Sequence, residues 1–150
     1  MLHIYIDGDA CPVKEETYKV AQRYGLDVTL VANSYMRVPG GSWFKLVVVE
    51  NGPDAADDWI AATAAKDDIV ITGDFPLAAR CLDKKARVIG HKGRIFTDEN
   101  IGDALASRHL LTMLREQGEM TGGPPPFTKK DRSQFLQQLD QTINEIKREA

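Results

Sequence analysis

Short apolar runs alternate with amphipathic stretches along the whole chain. "LHIYI" (Leu2–Ile6), "DVTLVA" (Asp27–Ala32), "FKLVVVE" (Phe44–Glu50), "DIVIT" (Asp68–Thr72) and "ARVIG" (Ala86–Gly90) are rich in β-branched residues, which predicts five strands, with "GRIF" (Gly93–Phe96) as a sixth at an edge. Between them, Pro12 at a first helical position and the spacing of Val13, Tyr18, Val20, Ala21 and Tyr24 predict a helix that stops at Gly25. Further helices are predicted over Ala55–Lys66, over "FPLAARCLDK", over Asp98–Gly118, and over "KKDRSQFLQQLDQTINEIKRE" after a Gly/Pro stretch, "TGGPPPF". Thr97 stands where it would cap the Asp98 helix, in a Thr-x-x-Asn spacing that falls short of a capping box. Phe135, Leu136, Leu139, Ile143 and Ile146 form a stripe that should dock on the domain or on a second subunit.

Strands alternating with helices predict an α/β fold: a mainly parallel sheet with helices on both faces. Near-continuous apolar strands such as "LVVV" and "IVI" fit burial on two sides. In such sheets ligands sit beyond the carboxyl ends of the strands, and right-handed crossovers put those ends on one edge.

That edge is acidic. Asp7 and Asp9 follow the first strand, Asp74 follows the fourth, and Asp54, Asp57 and Asp58 open the helix after the third. In the usual doubly wound order the first and fourth strands are neighbours, bringing Asp7 close to Asp74. Carboxylates converging in one cleft are most simply stabilised by a hard divalent cation, Mg²⁺ or Mn²⁺. Asp7, Asp9, Asp54, Asp57 and Asp74 are therefore the candidate ligands. Helix capping competes as a role for Asp54 and Asp57, and a turn carboxylate for Asp9, while Asp58 reads as solvated.

The remaining composition narrows the function classes. The 150 residues suffice for one domain with a real core, and a net charge of −3 argues against holding nucleic acid by bulk charge. It leaves room for a basic rim, for which Lys14, Arg80, Lys92 and Arg94 are the candidate phosphate contacts, with Thr72 offering a hydroxyl. Two cysteines without a metal spacing, no membrane-length apolar run and no signal-peptide pattern predict a cytoplasmic protein. Cys11 beside carboxylates reads as a buried helix-start residue rather than a nucleophile, and none of His3, His91 and His109 is assigned to metal. The loop "RVPGGSW" (Arg37–Trp43) offers either a nucleic-acid flap or a connection packing Trp43, and Asp98 a distal acidic group.

Taken together, "DGDACPVK", "DAAD", "TGDFPLA" and "GGPPPF…DR" resemble the YaiI/YqxD family of bacterial proteins, and "DDWIAATAAKDDIVITGDFPLA" resembles the second half of a PIN-like nuclease domain. The resemblance implies a single three-layer PIN-like (Rossmann-like) domain over residues 1–150, with a C-terminal helical extension from about 121 to 150. It also implies that Asp7, Asp57 and Asp74 match three acidic positions holding Mg²⁺ or Mn²⁺ in a catalytic site that hydrolyses phosphodiester bonds, most naturally in RNA, with DNA open. A fourth carboxylate, commonly a Glu on a helix between the first and third of these, has no counterpart here; Asp9 and Asp54 are the substitutes on offer, and a depleted site is the alternative. Two rivals stand beside it. One is a non-catalytic nucleic-acid or protein-binding module. The other is a haloacid-dehalogenase-like phosphatase, which shares the Asp7-x-Asp9 spacing but not the downstream motifs. A nucleotide-binding Rossmann domain lacks its GxGxxG.

Overall fold

A computed structural model describes residues 2–9, 11–50, 52, 54–103, 105–107 and 126–149. Six strands form one sheet in the order β3-β2-β1-β4-β5-β6: β1 (His3–Asp7), β2 (Asp27–Ala32), β3 (Phe44–Val48), β4 (Ile69–Ile71), β5 (Arg87–Ile89) and β6 (Ile95–Phe96). The first five are parallel and β6 runs antiparallel to β5 at the edge. β1 and β4 are neighbours, as the doubly wound order requires, with Ile4 opposite Ile69 and Ile6 opposite Ile71.

The two-residue period of these strands builds the layers. Ile4 and Ile6 of β1, with Ile69 and Ile71 of β4, face one core with α1 (Lys14–Tyr24) and the terminal helix (Lys129–Glu149). Tyr5 and Val70, one residue out of phase, face a second core with α2 (Ala55–Thr63) and α3 (Phe75–Asp83). The result is the three-layer arrangement expected.

The terminal helix belongs to the core. Phe135, Leu139 and Ile143 are fully buried, and each is worth roughly 1.5–3 kcal/mol over an exposed position. A reciprocal pair starts this helix, Thr128 N–H donating to Asp131 and Asp131 N–H to the Thr128 hydroxyl. Tyr24, whose hydroxyl donates to Asp140 and accepts from Asn144 Nδ2, fixes it against α1. Its apolar stripe therefore docks on its own domain.

Several expectations are corrected. "LVVV" falls in an edge strand, partly open, with Val48 38% exposed, because among the described residues nothing pairs with the far side of β3. Pro12 lies in the turn before α1, whose first residue is Lys14. The α2 helix ends at Thr63, short of Lys66. There the backbone of Ala64 turns extended, Asp67 adopts φ 66°, and the Asp68 carboxylate captures the Ala65 N–H. The Thr97–Asn100 pair does form a reciprocal cap, Thr97 N–H donating to Asn100 Oδ1 and Asn100 N–H to Thr97 Oγ1. Residues 101–103 and 105–107 are helical; most of the Asp98–Gly118 helix, His109 and most of "TGGPPPF" fall outside the described residues. The Arg37–Trp43 loop packs Trp43 into the first core, edge-on to Tyr18 and Phe44, as a packed connection would. Gly41, at φ 117°, is required there, since a Cβ would stand 2.8 Å from the Trp43 ring.

Candidate metal and phosphodiester site

The carboxyl ends of β1 and β4 open into a cleft of about 690 Å³. Asp7, Asp9 and Asp74 line it, Phe75 and Phe96 wall it, and His91, Lys92 and Arg94 come from the β5–β6 side.

Asp7 ends β1. Its Oδ2 accepts the Thr72 hydroxyl proton at 2.9 Å, and the same hydroxyl oxygen accepts the Asp74 N–H at 3.0 Å. Asp74 in turn caps α3, its Oδ1 accepting the Leu77 N–H at 2.8 Å. This chain locks both carboxylates at the strand ends. It also corrects the role expected of Thr72: the residue is fully buried and its proton is committed to Asp7, so it positions the carboxylates and does not contact a phosphate.

Burial first, and then the charges of Asp74 and Asp9, raise the Asp7 pKa, with Thr72 opposing. Asp57 is pushed up to about 6 by partial burial and by Asp74, Asp7 and Asp54, with Arg80 opposing. Asp57 sits outside the cleft lining yet within the field of its carboxylates. Among the described residues, no three His, Cys, Asp or Glu side chains stand close enough to hold one ion as placed. The donor chemistry suits a hard divalent cation, since the oxygens are anionic and destabilise one another; the placement would require Asp57 to move inward.

The other candidates divide. Asp9 Oδ2 accepts the Asn33 N–H at the end of β2, a bond to the neighbouring strand end rather than to its own turn. Asp54 precedes α2 without a side-chain capping bond, so capping does not explain it. Arg80 pairs with Asp58 at 2.8 Å on the exposed outer surface of α2 and α3, away from the cleft lining. Lys14 Nζ reaches Gly8 O at 3.5 Å. Lys92 and Arg94 lie on the rim; Lys92 is 3.8 Å from Asp131, and the Arg94 guanidinium sits 5.3 Å from the Phe96 ring centre. Asp98 lies in a separate cavity between β5 and the terminal helix. Cys11 is buried, its thiol pushed up to about 11 mainly by desolvation, which rules against a nucleophile.

Sequence reading missed Phe75, Phe96 and His91 as cleft residues. His91 packs against Gly73, where a Cβ would stand 3.2 Å from its ring, and its Nε2 has no hydrogen-bond partner among the described residues. Burial, and then the charge of Lys14, lowers its pKa and favours the neutral imidazole. The signal for Phe75 was its place directly after a capping Asp at a strand's carboxyl end.

A doubly wound, mostly parallel sheet with an acidic cleft at its carboxyl edge places this chain among three-layer, Rossmann-like α/β proteins. Within that class it belongs to the uncharacterised YaiI/YqxD family, whose profile matches residues 5–145. It is similar to the UPF0178 protein of Paramagnetospirillum magneticum, 55% identical over 148 residues, covering 99% of this chain and 98% of the relative. The UPF0178 protein of Parvibaculum lavamentivorans is 57% identical over 148 residues, covering 99% and 97%. No solved structure gives a significant match. No helix among the described residues is long and apolar enough to cross a membrane.

Proposed function

We propose that this protein is a divalent-cation-dependent phosphodiester hydrolase of the PIN-like type acting on nucleic acid, with RNA the first substrate to test. The observation that carries it is the convergence of Asp7, Asp9 and Asp74 on one cleft at the carboxyl ends of the adjacent strands β1 and β4, with Asp57 of α2 within their field and Lys92 and Arg94 in the same cleft. Carboxylates left short of partners call for positive charge. Asp7 and Asp74, held by Thr72, would bind Mg²⁺ or Mn²⁺, with Asp57 closing in and Asp9 at the edge. A bound ion lowers the pKa of a coordinated water and offsets charge on the scissile phosphate. Lys92 and Arg94, with Lys14 behind, hold the phosphate backbone and set its approach.

The test is cleavage of end-labelled RNA by purified protein with Mn²⁺, with EDTA, and in Asp7→Asn and Asp74→Asn. Mn²⁺-dependent products lost in both variants support hydrolysis; products that survive both substitutions assign the cleavage to a contaminant and overturn it. One observation favours a second reading, a non-catalytic nucleic-acid-binding module: among the described residues no three ligating side chains already share one ion's reach. The phosphatase alternative is disfavoured because Asp9, its expected acid/base, is tied to the Asn33 backbone.

A further inference from the structure

We infer that the aromatic wall of the cleft is a nucleobase subsite, so that the substrate is single-stranded nucleic acid with one unpaired base turned in against Phe75. This rests on the functional reading above and specifies its substrate class.

Three independent features meet there. Phe75, half-buried, leans edge-on to the buried Phe96, with ring centres 5.4 Å apart and planes at 62°. This leaves an immobilised ring on the cleft wall one residue from Asp74. The cavity of about 690 Å³ is far larger than a cation needs and fits a base with its sugar. Arg94, exposed with its guanidinium over the Phe96 ring, and Lys92 beside it supply cations on the β5–β6 side of the same cleft.

The separation of charge orients the occupant. With no cation bound, phosphates are repelled by Asp7, Asp9 and Asp74 and attracted by Lys92 and Arg94, while the uncharged base takes the ring. A base inside a duplex cannot reach such a wall without leaving its stack. Beyond the rim, a second cavity of about 420 Å³ continues past Lys92, Gly93 and Arg94 onto Gln134, Gln137 and Gln138 of the terminal helix. It gives the strand a path onward past uncharged hydrogen-bonding side chains. Gly93, at φ 89°, lets this rim lie against the helix, since a Cβ would stand 2.7 Å from the Gln134 backbone.

The experiment is fluorescence anisotropy in EDTA with labelled oligouridylate, labelled oligothymidylate and a labelled duplex. Wild type should bind the single strands more tightly than the duplex. Phe75→Leu, which keeps apolar packing on Phe96 but removes the ring face, should weaken single-strand binding by about tenfold or more. Its urea unfolding midpoint, measured alongside, should stay close to wild type. Lys92→Gln should reduce the salt dependence of binding by about one phosphate contact. Tighter binding of the ribo strand assigns RNA, and tighter binding of the deoxy strand assigns DNA. Unchanged single-strand affinity in Phe75→Leu, a wild-type preference for duplex, or no single-strand binding at all would overturn the subsite. Ring-dependent binding without Mn²⁺-dependent cleavage would keep the subsite and reject hydrolysis; cleavage without ring dependence would do the reverse.

Discussion

Both ends of the β1–β4 pair carry aspartates, and the two ends treat them differently. At the amino end Asp68, only 7% exposed, accepts the His3 N–H on Oδ1 at 3.1 Å and the Ala65 N–H on Oδ2 at 3.0 Å. Each oxygen has a backbone donor, and the carboxylate joins β1 to the end of α2. At the carboxyl end one threonine hydroxyl serves the Asp7 carboxylate and the Asp74 N–H, and burial, then neighbouring carboxylates, raise the pKa of Asp7 and Asp57. Near-burial alone therefore does not mark a site. A carboxylate completed by backbone donors is architecture; one facing other carboxylates keeps capacity for a cation.

The largest effect expected from this contrast is on stability at the amino end. Asp68→Ala orphans two N–H groups and should cost about 3 kcal/mol by urea unfolding, with Mn²⁺ affinity little changed. A cost below about 1 kcal/mol would show that water replaces the carboxylate and would blunt the comparison. At the other end, Thr72→Val removes the hydroxyl that donates to the Asp7 carboxylate and accepts the Asp74 backbone N–H. It should lower Mn²⁺ affinity by roughly 10–100-fold, as measured by calorimetry. Equal affinity in this variant would mean that the carboxylates hold their positions without it.

Asp57 offers a smaller, pH-dependent test. Its folded pKa of about 6 lies above the ordinary 3.8, so the folded state binds the extra proton and stability falls as pH rises through that window. Because Asp57 is only partly buried, solvent screening limits the loss to on the order of 1 kcal/mol. Urea midpoints of metal-free Asp57→Asn should lack this decline, and saturating Mn²⁺ should abolish it in wild type. The smallest effect belongs to the exposed Arg80–Asp58 pair, where Arg80→Gln should change stability by less than about 0.5 kcal/mol.

The contrast also explains what could be read from the chain. The apolar runs and their handed crossovers were enough to pair β1 with β4 and to bring Asp7 towards Asp74, because both follow from local patterning and chain connectivity. The exposed face of β3 was not legible, since an apolar run looks the same in a central and an edge strand until the strand order is known. Asp68 and Asp74 both flank β4, and only the chain brought alongside each decides which is satisfied: His3 and Ala65 at one end, Asp7 at the other. The early end of α2 has the same origin, in the bond from Ala65 to Asp68. Phe75 and Phe96 meet only when the β5–β6 hairpin folds over α3, so neither residue announced a cleft wall.

The central claim is that the carboxyl end of this strand pair is a cation site. Calorimetric titration of Mn²⁺ into metal-free wild type, Asp7→Asn, Asp74→Asn and the exposed control Asp83→Asn, remote from the cleft lining, tests it most directly. Saturable binding in wild type and the control, lost in both cleft variants, is the predicted result. No saturable binding in wild type, or binding that survives both cleft substitutions, would contradict it.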